Sequence, residues 1–243
     1  MTVRVLVVRP EPGATATAES LRQAGYEPVL LPLTEIRAVS PEPALPRGRF
    51  DAVAVTSVNA LRHMPARMLD ALHEVPLHAV GEVTALAAQE AGFACVEASG
   101  GDAAALTRLV VERLPAGGRV AYPCGRVRRS TLEAGLAAAG IELVAIEVYD
   151  TVAIAPENDV VARLAAAGCV DAVLIHSAES AAALVRLRSD ADASRLVGGA
   201  RHAAISARAA EPLDAAGMGP ILVADEPTEA ALLAALRRAV EAD

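Results

Sequence analysis

The sequence has no tryptophan, two phenylalanines and three tyrosines in 243 residues. This excludes a stacked-aromatic core, so the interior must be built from Leu, Val, Ile and Ala, which dominate a hydrophobic fraction of 53%. A chain of this length buries enough of them to fold without disulfide or metal staples. Excess positive charge is also missing: 22 Lys and Arg face 30 Asp and Glu, a net charge of −8. A non-specific nucleic-acid binder needs a basic face, and attraction to an anionic membrane needs the same; neither partner is expected. No apolar run approaches the roughly 18 residues of a spanning helix. The opening "MTVRVLVVRPEPG" breaks at Arg9-Pro10, too early for a secretory segment. Cys95, Cys124 and Cys169 form no C-x-x-C pair, which fits reduced thiols, and the expected location is cytoplasmic. There is no H-E-x-x-H or Cys/His cluster, so no metal is expected. Gly-rich phosphate loops and the G-x-S-x-G elbow are absent as well, and no cofactor is expected.

What is present is repetition. Short β-branched runs alternate with Ala/Leu-rich helical stretches, the pattern of a parallel α/β protein. "FDAVAVTSVNAL" (50–61) resembles "VDAVLIHSAESAAAL" (170–184), and "AVGEVTALAAQEAGF" (79–93) resembles "AISARAAEPLDAAGM" (204–218). The segment 3–33 resembles 118–148 in the same way. The chain therefore reads X1–Y1–X2–Y2, where X is strand–helix–strand and Y is three strand–helix units. One X with one Y makes a flavodoxin-like, doubly wound sheet. X1 can join Y1, giving consecutive domains, or Y2, with Y1 and X2 inserted. "LTEIRAV" (33–39) and "IEVYDTVAI" (146–154) read as extended and would form a two-stranded connector in the inserted arrangement. Pro65 is expected to split one helix in two. "SPEPALPRG" (40–48) reads as a loop and "RSDADASRLVGGAR" (188–201) as a surface turn region.

Candidate chemistry lies just after the strands. Thr56, Ser57 and Asn59 follow "DAVAV", Gly81 and Thr84 follow "LHAV", Ser177 and Ser180 follow "DAVLIH", and Ser206 follows "HAAI". In a parallel sheet these positions share the carboxyl edge, where ligands bind. Helix N-termini there offer unpaired N–H groups suited to carboxylates. Ordinary N-capping explains any one of them; recurrence in both halves points to a ligand. Arg9, Arg126, Arg128 and Arg129 sit at two equivalent strand–helix loops, beside Gly125, and can fork a carboxylate or face solvent. Cys124 lies at one such turn without an identifiable base. His176 closes a strand.

In this order, "VRVLVVRPEPG…AGYEPVLLPL", "FDAVAVTSVNAL", "AVGEVTALAAQEAGF", "VYDT" and the second "DAV…S" block resemble the uroporphyrinogen-III synthase family over nearly the whole chain. "TS-x-N-A", "AVG-x-x-T-A" and "VY-x-T" carry most of the likeness. The resemblance implies two flavodoxin-like α/β domains joined by a two-stranded connector (33–39 and 146–154), with a cleft between them. The first domain would be 1–36 plus 152–243, and 39–148 the inserted second. It implies cofactor-free cyclisation of hydroxymethylbilane, with ring D inverted through a spiro intermediate and water lost, by a cytosolic monomer. Hydroxymethylbilane synthase is then the expected donor of the substrate.

The substrate is a flexible polyanion whose hydroxyl leaves readily and which closes unaided to the wrong isomer, so the task is mainly positional. A proton donor would still assist departure of hydroxide. The family motif supplies Tyr149, a phenol with an ordinary pKa of about 10, as acid or as a positioning group. Thr84 matches the family's cleft threonine. The second half departs from the pattern: "ISARAA" (205–210) stands where the family has "IG-x-TTA", so Ser206 replaces a glycine, and Arg208 would compensate with a carboxylate contact. That departure motivates an alternative, a non-catalytic bilobal binder or sensor of a tetrapyrrole or another polyanion. A flavodoxin-like nucleotide or flavin protein is disfavoured by the missing phosphate loop and scarce aromatics. Some relatives carry an appended DNA-binding domain; with the sequence ending at Asp243, none is expected.

Overall fold

The computed structural model describes residues 2–40 and 45–241. Two sheets, parallel except where the strand Thr34–Ala38 meets the strand Glu142–Ala153, carry the fold. Buried parallel strands read as continuous apolar runs rather than alternating ones, and β1 (Arg4–Val7) and β9 (Ala172–Ile175) do so. Sheet A runs β11-β10-β9-β1-β2, with β2 at Glu27–Leu30, β10 at Arg201–Ala204 and β11 at Ile221–Val223. Sheet B runs β3-β8-β7-β4-β5-β6. Its strands are β3 (Thr34–Ala38), β4 (Ala52–Val55), β5 (Leu77–Ala79), β6 (Val96–Ala98), β7 (Arg119–Gly125) and β8 (Glu142–Ala153).

The chain divides into two compact units, one of 1–36 with 152–243 and one of 37–151. β1 pairs with β9, so the first strand–helix–strand segment belongs with the last three strands rather than with the three that follow it. β3 and β8 carry the chain between the units; the amide of Val39 donates to Val148 and that of Ile154 to Leu33, an antiparallel pattern. Numbered within its unit, sheet A has the order 2-1-3-4-5, the flavodoxin-like arrangement. Sheet B, β3 aside, has the same spatial order with the chain circularly permuted: β7 and β8 take the first two places and β4, β5 and β6 the rest.

Each sheet is covered on both faces. Leu6, Val173, Ile175 and Ala204 pack with Leu184, Leu196 and Leu213 on one side of sheet A. On the other, Val5, Val7, Leu174 and Ala203 pack with Leu21, Leu232 and Leu236. The latter come from α1 (Gly13–Gln23) and α11 (Glu229–Glu241). Sheet B repeats this: Val53, Val55, Leu77 and Ile146 meet Met68 and Leu72, while Ala52, Ala54, Val120 and Tyr122 meet Leu106, Val110, Leu132 and Leu136. Pro65 does divide a helix, separating α2 (Val58–Arg62) from α3 (Ala66–Leu72). Between these and α11 lie α4 (Glu82–Glu90), α5 (Ala103–Arg113), α6 (Thr131–Ala138), α7 (Asn158–Ala166), α8 (Ala178–Leu187), α9 (Ala191–Val197) and α10 (Ala207–Ala215).

One reading needs correction. The 188–201 segment is not only a surface turn: it contains α9. Asp190 caps that helix, its Oδ1 accepting from the amides of Asp192 and Ala193 at 2.9 Å each. Ala193, Leu196 and Val197, spaced i, i+3, i+4, are buried in the sheet A core. The density of Asp, Ser and Gly masked that stripe. Of the loop reading at 40–48, residues 41–44 lie outside the described residues.

Three histidines are buried with ring nitrogens that have no hydrogen-bond partner among the described residues: Nδ1 of His78, which lies 3.7 Å from a Glu97 oxygen, Nδ1 of His176 and both nitrogens of His202. Burial pushes the pKa of each below the usual histidine value, so the folded protein holds them neutral.

Two outcomes follow for stability. Asp190→Ala removes a cap and is expected to cost about 1 kcal/mol, read as a lower urea midpoint at unchanged slope. Because the folded state resists protonating His78, His176 and His202, the unfolded chain binds more protons below about pH 6.5. Stability is therefore flat above that pH and declines as pH falls through and below it; urea melts from pH 7.5 down to 5.5 check the sign.

Candidate functional site

In a doubly wound sheet, ligands bind beyond the carboxyl ends of the strands, where the strand order reverses. In sheet B that point lies between β4 and β7. Thr56 and Ser57 continue from β4, and the Thr56 hydroxyl is 3.0 Å from that of Tyr122. Burial pushes the Tyr122 pKa up to about 12. Ser57 caps α2, accepting from the Asn59 amide at 3.2 Å, and the Asn59 carbonyl lies 2.9 Å from Nδ1 of His63.

Gly125 ends β7 opposite Tyr149, just after an irregularity in the ladder. The Tyr149 ring covers it: a Cβ on Gly125 would come within 2.7–2.9 Å of the ring and hydroxyl. His63 lies on another side, its ring centroid 6.1 Å from that of Tyr149 at 40°. Burial raises the Tyr149 pKa, with the nearby Ser57 side chain opposing and Cys124 adding to the rise. The phenol is thus protonated at neutral pH. Cys124 is buried and its pKa pushed up to about 11, chiefly by burial. It is an inert thiol, and the turn dipole does not activate it.

The arginines of this loop divide into two kinds. Arg126 pairs with Glu147 at 3.2 Å and Asp150 at 3.0 Å. Arg128 pairs with Glu133 at 3.0 Å and Glu147 at 3.1 Å and donates to the Gly125 and Arg126 carbonyls. Both tie the loop after β7 to β8. Arg129 is exposed and makes no ion pair among the described residues, which leaves it available to an anion. Beyond β5, Gly81 caps α4 with no side chain, its carbonyl accepting from the Thr84 and Ala85 amides; Thr84 is buried in the first turn.

In sheet A, Ser177 caps α8, accepting from the Ser180 amide at 3.1 Å. Its hydroxyl is 3.0 Å from that of Ser180, which is 3.4 Å from that of Thr34. Ser206 caps α10 through the Ala209 amide at 3.3 Å. Arg208 is exposed on α10, with no ion pair among the described residues. Arg9, at the end of β1, is half-buried beside Glu229, Thr17 and His176. The sequence reading missed this cluster. Glu229 looks like an ordinary first-turn carboxylate and His176 like a strand-end residue, and only the fold brings them together across more than 50 positions of chain.

The groups at the strand ends of each unit are hydroxyls, helix-start amides and arginines, with a protonated phenol at the end of sheet B. None is an activated nucleophile, and no three His, Cys, Asp or Glu among the described residues are placed to hold a metal. The set suits binding and orienting a carboxylate-rich molecule while offering one proton. The Tyr149–Gly125 contact generates a prediction: Gly125→Ala must displace the ring, costing about 1–3 kcal/mol of stability by overpacking, measurable by urea denaturation.

A family model described as "HEM4: Uroporphyrinogen-III synthase HemD" matches residues 15–234. Among solved structures, uroporphyrinogen-III synthetase from Helicobacter pylori aligns with a TM-score of 0.66 at 21% identity, covering 98% of this chain and 99% of that one. A mutant uroporphyrinogen III synthase from Thermus thermophilus aligns with a TM-score of 0.55 at 22% identity, covering 100% of both chains. At such identities the two structures establish a shared fold. No curated protein sequence matches the chain. The family match takes in β4, β7 and the Tyr149 strand, with Arg9 lying just ahead of it. The chain belongs to the uroporphyrinogen-III synthase (HemD) family, whose members are cyclising lyases of tetrapyrrole biosynthesis.

Proposed function

We propose that this protein cyclises hydroxymethylbilane to uroporphyrinogen III, with Tyr149 assisting loss of the hydroxyl and groups at the strand ends binding the substrate's carboxylates. The observation that carries the assignment of roles is the setting of Tyr149. It stands at the carboxyl end of sheet B, packed on Gly125, beside Ser57 and near His63.

The chemistry follows from the substrate. Loss of hydroxide leaves an electrophilic azafulvene, and the phenol proton travels with the departing oxygen, so that water leaves and the phenolate is reprotonated afterwards. A tyrosine whose pKa burial raises keeps its proton until then. The remaining task is to fold the bilane so that the substituted carbon of ring D is attacked, and positional control of this kind is worth several orders of magnitude. Amides at the starts of the helices after the strands bind carboxylates without adding charge. Thr56, Ser57, Asn59, Gly81 and Thr84 line these turns beyond sheet B, and Ser177 and Ser206 those beyond sheet A. Arg9, Arg129 and Arg208 add cationic contacts against a net negative protein. In the second half, the Ser206 cap has the same extended backbone as Gly81, the glycine that caps the matching helix of the first half.

The test couples the purified protein to hydroxymethylbilane synthase, followed by chromatographic analysis of the oxidised porphyrin isomers. Isomer III above the level in buffer is expected; isomer I alone would leave a binding protein rather than an enzyme. Tyr149→Phe, which keeps the ring over Gly125 and loses the proton, is expected to lower kcat by about 10²-fold or more with little change in KM. A wild-type kcat in Tyr149→Phe would remove the acid role.

A further inference from the structure

Arg9 stands at the end of β1 and His176 at the end of β9, the strands on either side of the reversal in sheet A. Glu229, the first residue of α11, joins them. Its Oε2 accepts from Nη1 of Arg9 at 3.4 Å and lies 3.1 Å from Nε2 of His176. Its Oε1 accepts from the Thr17 hydroxyl at 2.7 Å, and Thr17 in turn accepts from Nη1 of Arg9 at 3.2 Å. Three donors thus converge on one carboxylate. Burial disfavours the ionised form of Glu229, but His176, Thr17 and Arg9 outweigh it and hold the pKa below the usual carboxylate value. Because burial keeps His176 neutral and Glu229 can only accept, the imidazole donates from Nε2. Its Nδ1 is left unprotonated, with no hydrogen-bond partner among the described residues. The cluster then carries one positive and one negative charge.

All of this holds Arg9 by Nη1 alone. The Nε–Nη2 edge of the guanidinium, the pair of donors that matches a carboxylate, donates to no group among the described residues, and the side chain is 31% exposed. The guanidinium packs against Gly13, the first residue of α1, where a Cβ would fall 2.6 Å from Nε and 2.8 Å from both Cζ and Nη2. Only glycine leaves that space. An arginine without such an anchor samples many rotamers and turns its charge to water.

We propose that Glu229 is a positioning residue: it anchors Arg9 by Nη1 so that the Nε–Nη2 fork stays presented to a substrate carboxylate, with Thr17 fixing the carboxylate of Glu229 and Gly13 providing the room. The proposal rests on the reading of Arg9 as a carboxylate contact for hydroxymethylbilane.

The test is steady-state kinetics with hydroxymethylbilane on the full-length protein, with thermal melts of each variant. Arg9→Ala is expected to raise KM about 10–100-fold, the loss of charge-assisted hydrogen bonds. Glu229→Gln and Gly13→Ala are expected to raise KM several-fold with kcat within about twofold. Gly13→Ala does so while remaining folded at the assay temperature, because the atoms it crowds are the far end of a flexible side chain that can swing aside. Thr17→Ser keeps the hydroxyl and the wild-type KM, whereas Thr17→Val raises it. A raised KM in Arg9→Ala with unchanged KM in both Glu229→Gln and Gly13→Ala would leave Arg9's role intact and overturn the positioning. A lowered KM in Glu229→Gln would also overturn it, making Glu229 a competitor for Arg9. An unchanged KM in Arg9→Ala would remove the reading of Arg9 and the positioning with it.

Discussion

Burial of the strands on both faces governs where this protein can place its chemistry. Val5, Leu6, Val7, Ala172, Val173 and Leu174 are fully buried, as are Ala52, Val53, Ala54 and Val55. A sheet enclosed in this way disfavours charge along its strands, because a charged group there would lose its water without compensation; the histidines it does hold inside strands, His78 and His202, are kept neutral by burial. Polar chemistry is pushed to the strand ends, where backbone amides emerge at helix starts. With two phenylalanines and no tryptophan in the chain, that enclosure rests on many small aliphatic contacts rather than on a few large rings. This fits the Ala-rich faces of the covering helices.

The two carboxyl ends use the same topology differently. In sheet B the strand reversal holds hydroxyls and a phenol packed on a glycine, with Arg126 and Arg128 committed to Glu147, Asp150 and Glu133. In sheet A it holds an arginine balanced by a carboxylate, a threonine and a neutral histidine. Neither end carries an activated nucleophile. Such groups are suited to orienting a ligand and supplying a single proton rather than to covalent catalysis.

The glycines at these ends make room for the groups that stand there. Gly125 admits the Tyr149 ring and Gly13 admits the Arg9 guanidinium, each at a separation that a methyl group would violate. Neither has a positive φ, so their value is space and not backbone conformation. Read from the sequence, Gly13 is a residue beside a proline and Gly125 the end of a strand; the ring that requires Gly125 arrives from 24 positions away on the neighbouring strand, and the guanidinium that requires Gly13 folds back from the loop between β1 and α1.

The α/β class, the parallel sheets and the position of most helix starts were legible in the amino-acid order alone, because they depend on local patterns: β-branched runs, Ser and Asp caps, Pro65. The internal repeat was legible for the same reason. Where local signals were ambiguous the sequence was less informative, as at α9, whose apolar stripe was hidden among turn-forming residues. The pairing of β1 with β9 needed the folded chain, since two similar halves offer equally good strand partners and hydrophobic pattern does not distinguish them. The folded chain also joined Arg9 to Glu229, Thr17 and His176, and separated the paired Arg126 and Arg128 from the exposed Arg129. An ion pair is set by where side chains end in space, and residues up to 220 positions apart have no local signal that they will meet.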